Sequence, residues 1–307
     1  MIRSAVTICL LCAAYLHAQT LAPLRAAGNM TTIELSPLLV AAEKGYPGEI
    51  HVFNGGIPAI VNGTADVATN AETQLLRQSV DDPDLRVIFT VAEGLYRIVA
   101  RKSAGIHKIA DLKGKRITTP PNTSAHYFLV KMLATEHLSE TDVTLVKIDP
   151  LTGMSAALKE GRVDAVSVWE PESERAIAAA GKDAIVLQGR GVYRELFNLN
   201  TSAKVLADPA KRRAVVELLR SLIASSKQLR ENPRQYWPLI SAGLHYTQET
   251  VSKSWPNLRY AGGLAPDLLD VMTEEEVWVA KERNRAPRNR AQLAGLIDRS
   301  LLEDASR

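Results

Sequence analysis

The sequence has only two cysteines in 307 residues, Cys9 and Cys12, and both lie close to its start. If that segment is removed, the remaining chain has no thiol. This excludes a disulfide framework, a thiolate nucleophile and a cysteine metal site. A chain of this length can bury a sufficient apolar core without covalent cross-links. We therefore expect its stability to come from packing alone.

Long apolar runs and a large charge excess are also missing. Beyond residues 5–14, no segment approaches the roughly 18 consecutive apolar residues that would span a bilayer. The formal net charge is only +3, and no basic stripe carries interleaved aromatic residues. The densest basic stretch, 281–290, is interrupted by Glu282 and predicts a solvated helix face and loop. These features exclude a nucleic-acid partner and predict no membrane span once the start is removed.

The first 18 residues have the three parts of a secretory signal peptide. Arg3 supplies a positive region, residues 5–14 are apolar apart from Thr7, and Leu16-His17-Ala18 precedes a plausible cleavage point. A buried N-terminal helix is the alternative. A lipoprotein signal is not expected, because a small residue should precede its cysteine and Leu11 stands before Cys12. The pattern predicts export to the periplasm with residues 1–18 removed.

Short apolar runs alternate with amphipathic stretches through most of the chain, which is typical of βαβ construction. Loops of polar residues and glycine follow each predicted strand, at the sheet edge where open α/β sheets bind ligands. Two such series imply two sheets that face each other across a cleft. Long helices are predicted after residue 208, including 210–230 and 293–302. Strands are predicted at 24–27, 49–53, 66–69, 85–91, 96–101, 116–119, 143–148, 164–168 and 184–187.

The stretch 111–127 is the most informative local pattern. Pro120-Pro121 stops a predicted strand, and Asn122, Thr123 and Ser124 compete to cap the helix that follows. Free N–H groups and hydroxyls at a helix N-terminus favour an anionic group. Ordinary helix capping is the alternative for these residues.

Four segments together resemble one family. They are 111–127, 157–171, the pair 41–45 and 62–68, and 297–302. In order and spacing the sequence resembles the periplasmic substrate-binding proteins of nitrate, sulfonate and taurine ABC importers, a family that also includes binders of thiamine-pyrimidine precursors. The resemblance implies a type II periplasmic binding fold, in which each lobe is a mostly parallel sheet flanked by helices.

The resemblance also implies a division of the chain. Residues 19–105 and 198–307 would form lobe I and residues 106–197 lobe II, with the chain crossing near 104–108 and returning near 198–203. The ligand cleft would lie between the lobes, which would close on the solute by a hinge motion.

The function implied is that of the extracytoplasmic solute-binding component of an ABC importer. Its solute would be small and polar or anionic, like nitrate, a sulfonate or taurine, and its partners would be a permease and an ATPase. No catalytic residue, metal or cofactor is expected. The alternatives are a binder of a pyrimidine precursor or an aromatic carboxylate, a solute sensor domain, or an enzyme of thiamine pyrimidine synthesis.

The candidate ligand-binding residues are polar residues and glycines at predicted strand exits and helix N-termini, with residues near the return crossing. Side chains and amides at these places face the cleft, and glycine permits close backbone approach. The candidates are Asn29, Thr31, Thr32, Gly55, Gly56, Asn70, Glu72, Thr123, Ser124, Ala125, His126, Trp169, Glu170 and Tyr193.

Several candidates have structural alternatives. His126 lies one turn into a helix, where a structural histidine is the alternative. Glu170 would repel an anion unless an arginine paired with it, so it is predicted as a hinge residue or as the acceptor for an amine of the solute. Arg97 and Arg190 are the weak candidates for clamping a sulfonate. Turn formation or core packing is the alternative for Gly55, Gly56, Asn70, Trp169 and Tyr193.

Overall fold

The computed structural model describes residues 20–307. The predicted signal peptide and both cysteines lie outside these described residues. The strands are β1 (Leu24–Gly28), β2 (Ile50–Asn54), β3 (Val67–Ala71), β4 (Leu85–Gly94), β5 (Arg97–Arg101), β6 (Arg116–Thr118), β7 (Thr144–Leu145), β8 (Ala165–Val168), β9 (Ala184–Gln188), β10 (Glu195–Ser202) and β11 (Leu258–Arg259).

The helices are interleaved with these strands up to residue 180 and dominate after residue 202. Within residues 20–307 none of them is both long enough and apolar enough to cross a bilayer. They are α1 (Ser36–Val40), α2 (Pro58–Val61), α3 (Glu72–Gln78), α4 (Ser124–Ala134), α5 (Met154–Lys159), α6 (Glu172–Ala180), α7 (Ala203–Leu206), α8 (Pro209–Glu231), α9 (Pro233–Leu244), α10 (Gln248–Ser254), α11 (Leu268–Glu282), α12 (Arg290–Ala294) and α13 (Ser300–Ala305).

The strands form two sheets, as the alternating pattern predicts. The first has the order β11-β4-β10-β3-β1-β2 and the second β7-β6-β8-β5-β9. Strand β1 is parallel to β2 and β3, and β6 is parallel to β7 and β8. Strand β10 runs antiparallel between β3 and β4, and β5 runs antiparallel between β8 and β9. Most strands in each sheet point the same way, so the predicted fold class is confirmed.

The chain passes between the sheets at two short connections. It leaves the first sheet after Gly94 and enters the second at Arg97, then returns between Gln188 and Glu195. Both connections precede the crossings predicted near 104–108 and 198–203. The first connection comes early because β5 pairs with β8 and β9 of the second sheet. The second comes early because β10 pairs along β4 from Glu195 opposite Gly94 to Ser202 opposite Leu85, so the whole of β10 belongs to the first sheet. The limits of the two lobes stay a prediction.

The helix predicted over 293–302 is wrong as a single element. Helix α12 ends at Ala294 and α13 begins at Ser300. Between them, Ile297 forms a β-bridge with Val87, and the N–H of Asp298 donates to the Val87 carbonyl at 2.9 Å. The apolar spacing is helical, but the backbone there bonds to the edge of the first sheet instead.

The basic stretch 281–290 is also more than a solvated face. Arg285 and Arg288 both pair with Glu276, whose side chain is fully buried. Arg288 also donates to the Leu76 carbonyl and to Ser79 Oγ at 2.9 Å. These bonds attach the segment after α11 to the C-terminal end of α3.

Candidate ligand-binding site

A cavity of about 130 Å³ lies where the two sheets face each other. The first sheet contributes the loop after β1, strand β3 and strand β10. The second contributes the N-terminus of α4 and the residue after β8, and Tyr96 comes from the connection between the sheets. The cavity is lined by Asn29, Glu34, Asn70, Ala71, Gln74, Tyr96, Thr123, Ser124, Trp169, Glu195 and Phe197. It therefore combines residues far apart in the sequence.

Two asparagines form the part of the wall that follows β1 and β3. Asn29 Oδ1 accepts from Thr31 N at 3.0 Å and from Thr31 Oγ1 at 2.6 Å. Asn70 Oδ1 accepts from Ile57 N at 2.7 Å. Because both amide oxygens already accept hydrogen bonds within the protein, the amide nitrogens are the groups that can meet a solute. A local turn holds Asn29 in place, whereas a bond from Ile57, just before α2, holds Asn70.

Asn70 leaves no room for a side chain at residue 56, so this position requires glycine. A Cβ at residue 56 would collide with Asn70 Oδ1, the atom that accepts from Ile57 N. We expect Gly56→Ala to break this bond and to lower the free energy of unfolding by about 1–3 kcal/mol. Urea unfolding checks the value. Gly45→Ala is the matched control, since its Cβ would make only ordinary contact, 3.7 Å from Ser221 Cβ. Equal stability of the two variants would contradict the prediction.

The opposite wall is the N-terminus of α4, an 11-residue helix. The Thr123 hydroxyl does not cap the helix but donates to the Pro120 carbonyl at 2.7 Å. Ser124 Oγ lies 2.9 Å from the Tyr96 hydroxyl. The first-turn N–H groups therefore have no side-chain acceptor from Thr123. An anionic or carbonyl group of a solute would find donors at this wall.

Two acidic side chains, Glu34 and Glu195, form a buried carboxyl pair in the wall. They are only 2% and 1% exposed. Burial and then the mutual repulsion of the pair raise the pKa of Glu195 well above its usual range, and burial also raises the pKa of Glu34. Gly94 makes room for the pair, because a Cβ there would collide with Glu34 Oε1 and lie 3.1 Å from Glu195 Oε2. Burial and mutual repulsion therefore favour one shared proton on the pair over two ionised carboxylates.

Contacts at the rim of the cavity join the two halves. Trp169 Nε1 donates to the Thr31 carbonyl at 3.3 Å, and Thr32 Oγ1 lies 3.1 Å from the Glu170 carbonyl oxygen. On another side, Gln74 Nε2 donates to the Asn122 carbonyl at 2.9 Å. The two sheets are therefore in direct contact around the cavity.

The structure places five of the sequence-predicted residues on the cavity wall: Asn29, Asn70, Thr123, Ser124 and Trp169. Thr31 and Thr32 lie at the rim contacts just described, and Gly56 lies directly behind Asn70. The N–H of Gly55 donates to the Gly28 carbonyl at 3.0 Å. Contact of any of these residues with a solute stays a prediction.

The remaining candidates lie away from the wall. Glu72 accepts from the Tyr193 hydroxyl and from Leu196 N at 2.9 Å, and burial raises its pKa to about 7. The Ala125 carbonyl accepts from Ser167 Oγ at 3.0 Å. These bonds give Glu72, Tyr193 and Ala125 structural partners.

His126 and Glu170 also have partners within the protein. His126 Nε2 lies 2.6 Å from Glu140 Oε1, and its other ring nitrogen accepts from Asn122 N at 3.3 Å. Glu170 is 2% exposed and forms an ion pair with Arg97. The carboxylate that would repel an anion thus has an arginine partner within the protein.

The cavity has no basic lining. Arg97 is held by Glu170 and Glu174, and Arg190 is exposed. In the part of the chain that the structure describes, no lysine, arginine or histidine lines the cavity. Neither candidate arginine therefore lines the cavity, where it would have to lie to bind a sulfonate.

Sequence reasoning missed part of the wall: Glu34, Gln74, Tyr96, Glu195 and Phe197. Glu34 lies in the helical turn after β1, and Glu195 begins β10, where no strand was predicted. The only available signal was an acid next to each predicted crossing or strand exit, which does not reveal burial.

Comparison with known proteins places the chain in a family. Residues 51–235, more than half of the chain, match the family model described as NMT1/THI5 like. The chain belongs to this family.

Individual relatives match over shorter stretches. A candidate aliphatic sulfonates-binding protein of Bacillus subtilis is 32% identical over 152 residues, covering 45% of this chain and 46% of the relative. A candidate thiamine biosynthesis protein of Haemophilus influenzae is 30% identical over 139 residues, covering 42% of this chain and 44% of the relative. The aligned parts thus span less than half the length of the curated relatives.

The fold match is more extensive. The alkanesulfonate-binding protein SsuA of Xanthomonas axonopodis, solved bound to MOPS, superposes with a TM-score of 0.72 at 20% identity. The superposition covers 92% of this chain and 100% of that protein. This confirms the two-lobed periplasmic binding fold.

Proposed function

We propose that this chain is the extracytoplasmic solute-binding component of an ABC importer. It binds a small polar solute between its two lobes, in the periplasm, and delivers it to a permease driven by an ATPase. The observation that carries the proposal is the small cavity lined from both sheets and closed at its rim by contacts between them. The family, the fold and the sulfonate-binding relatives support it.

The binding cycle needs no chemical step. Opening would break rim contacts, such as Trp169 with Thr31, each worth about 0.5–1.5 kcal/mol. It would also separate apolar contacts between the two halves, such as Tyr127 with Trp278, whose ring centroids are 5.3 Å apart. A bound solute adds hydrogen bonds to both walls and so favours the closed form. Closure thereby exposes to the importer a surface that exists only when the solute is present.

A second candidate is a role in thiamine pyrimidine synthesis or in binding its precursors, which the name of the Haemophilus influenzae relative favours. The described residues contain no cluster of acids and histidines that could hold a metal. Turnover of a pyrimidine precursor by the purified protein would support the enzyme, whereas stoichiometric binding supports the importer component.

Thermal unfolding with a library of small solutes tests the proposal. The library contains nitrate, alkanesulfonates, taurine-like aminosulfonates, aromatic carboxylates and pyrimidine derivatives. A solute present at 100 times its Kd should stabilise the protein by about 2.7 kcal/mol, and so raise Tm by several degrees. Asn70→Ala should remove the shift, whereas Asn62→Ala, an exposed asparagine outside the cavity, should keep it. A shift that both variants retain would contradict this site.

A further inference from the structure

The carboxyl pair makes the cavity unusual for an anion site. Two oxygens, Glu34 Oε1 and Glu195 Oε2, have no hydrogen-bond donor within the described residues, although both side chains are at least nine-tenths buried. Both side chains also line the cavity. In the unliganded protein, only a proton shared between the two carboxyls can satisfy these oxygens. A solute that supplies donors and positive charge at this point could take the place of that proton.

The surroundings of the pair supply little positive charge. The titratable groups facing it are acidic or phenolic: Glu72, Tyr96 and Tyr193. Thr32 Oγ1 lies 2.8 Å from Glu34 Oε2, which satisfies the other oxygen of that carboxyl. Without a basic neighbour, a shared proton is what keeps the two buried carboxyls from facing each other as two anions.

We propose that the solute carries a protonated amine, that this amine binds between Glu34 and Glu195, and that it replaces the proton the two carboxyls share in the unliganded protein. The inference rests on the proposed function and specifies which solutes the site accepts. The displaced proton goes to solvent and the amine replaces its positive charge, so the net charge at the pair is the same before and after binding. Glu34 and Glu195 are the positions that select for the amine.

The rest of the cavity suits such a solute. Trp169, Tyr96 and Phe197 present aromatic rings along the wall, and such rings attract cations. The N-terminus of α4, at Thr123 and Ser124, can hold an acidic group at the other end of the molecule. A compact molecule with an amine and an acidic group would therefore use both walls, whereas a simple anion would face two carboxyl groups.

Proton coupling gives the binding reaction a defined pH dependence. Because the amine replaces a proton, binding should tighten as the pH rises from about 6 to about 8, while the amine itself remains protonated. Up to about one proton should be released for each amine bound. Titration calorimetry at one pH in two buffers of different ionisation enthalpy measures that number.

Three probes of similar size separate the contributions of charge: ethanesulfonate, 2-aminoethanesulfonate and ethanolamine. We expect the two amines to bind, with proton release, and ethanesulfonate to bind at least ~30-fold more weakly than 2-aminoethanesulfonate. Ethanesulfonate binding as tightly as 2-aminoethanesulfonate would overturn the amine proposal and leave solute binding intact. Failure of all three probes and of the whole solute library would overturn the proposed function as well.

Matched substitutions test whether Glu195 and Glu34 bind the amine. Glu195→Gln should weaken binding of 2-aminoethanesulfonate at least ~30-fold and abolish proton release. Glu275→Gln is the control, because Glu275 is equally buried but does not line the cavity; its affinity should change less than ~3-fold. Glu34→Gln repeats the test should Glu195→Gln fail to fold. Unchanged affinity and proton release in a folded Glu195→Gln protein would contradict the proposal.

Discussion

Arg97→Met should lower the free energy of unfolding by about 3–5 kcal/mol, the usual cost of removing one member of a buried ion pair. The Arg97 side chain is 8% exposed and pairs with Glu170 and with Glu174, the latter at 2.8 Å. It also donates to Ser173 Oγ at 3.0 Å. Methionine fills a similar volume but leaves the buried Glu170 carboxylate without its cation.

Urea unfolding of three variants measures this effect. The double variant Arg97→Met with Glu170→Met should recover most of the lost stability, because both charges leave the interior together. Arg101→Met is the matched control. Arg101 pairs with Asp183 at 3.3 Å, with side chains 23% and 33% exposed, so its loss should cost less than about 1 kcal/mol. Equal effects at Arg97 and Arg101 would contradict the prediction.

The ion pair also matters for the cavity. Glu170 accepts from Asn257 Nδ2 at 3.1 Å, and its carbonyl oxygen lies within hydrogen-bond distance of Thr32. The neighbouring Trp169 forms both a rim contact and part of the wall. Arg97 therefore positions the segment that closes the cavity, and we expect its loss to weaken solute binding together with stability.

Local patterns in the sequence were enough to predict the parallel strands and half of the site. Asn29, Asn70 and Ser124 could be found because they follow strands or begin a helix, and the carboxyl edge of a parallel sheet brings such residues together. Their placement needs only the order of elements along the chain.

The other half of the site depends on long-range pairing that no local pattern shows. Strand β10 contains Asn198 and Asn200, which interrupt its apolar pattern although both are buried. Asn198 Oδ1 accepts from Thr90 Oγ1 at 2.9 Å, and Asn200 Nδ2 donates to the Ala68 carbonyl at 3.2 Å. Because partners on two other strands bind Asn198 Oδ1 and Asn200 Nδ2, these residues are compatible with a central strand. Glu195 enters the cavity only through this pairing.

Long-range pairing also accounts for the burial of part of the basic stretch 281–290. Arg285 and Arg288 could not be distinguished from solvated residues, because their partner Glu276 lies on the preceding helix and is fully buried. Although burial opposes it, hydrogen bonds from Arg285 and Arg288 lower the pKa of Glu276. Its stabilising effect is therefore present above its unfolded-state pKa and is lost only as the pH falls below it.

The raised pKa values of Glu72 and Glu275 predict that stability falls as the pH rises. This is the opposite of the effect of Glu276 and occurs at higher pH. Burial raises the pKa of Glu72 to about 7 and, with the repulsion of Glu72, raises that of Glu275 well above its usual range. Their contribution is fully present below the unfolded-state value of about 4.5 and is lost as the pH rises through the folded-state values. Between about pH 5.5 and 8, carboxylates with lowered pKa, such as Glu276, stay ionised. We therefore expect Tm to fall by several degrees over this range.

Glu275→Gln tests the origin of this effect. The substitution removes one of the two adjacent acidic groups and keeps an oxygen to accept from Thr73 Oγ1, which now lies 2.7 Å from Glu275 Oε1. Its Tm should vary less with pH than that of the wild type and should be higher at pH 8, because Glu72 can then ionise without an acidic neighbour. Calorimetry across the pH range checks both expectations. Wild-type dependence in the variant would show that the pH effect originates elsewhere, since the Glu72–Glu275 repulsion would be gone.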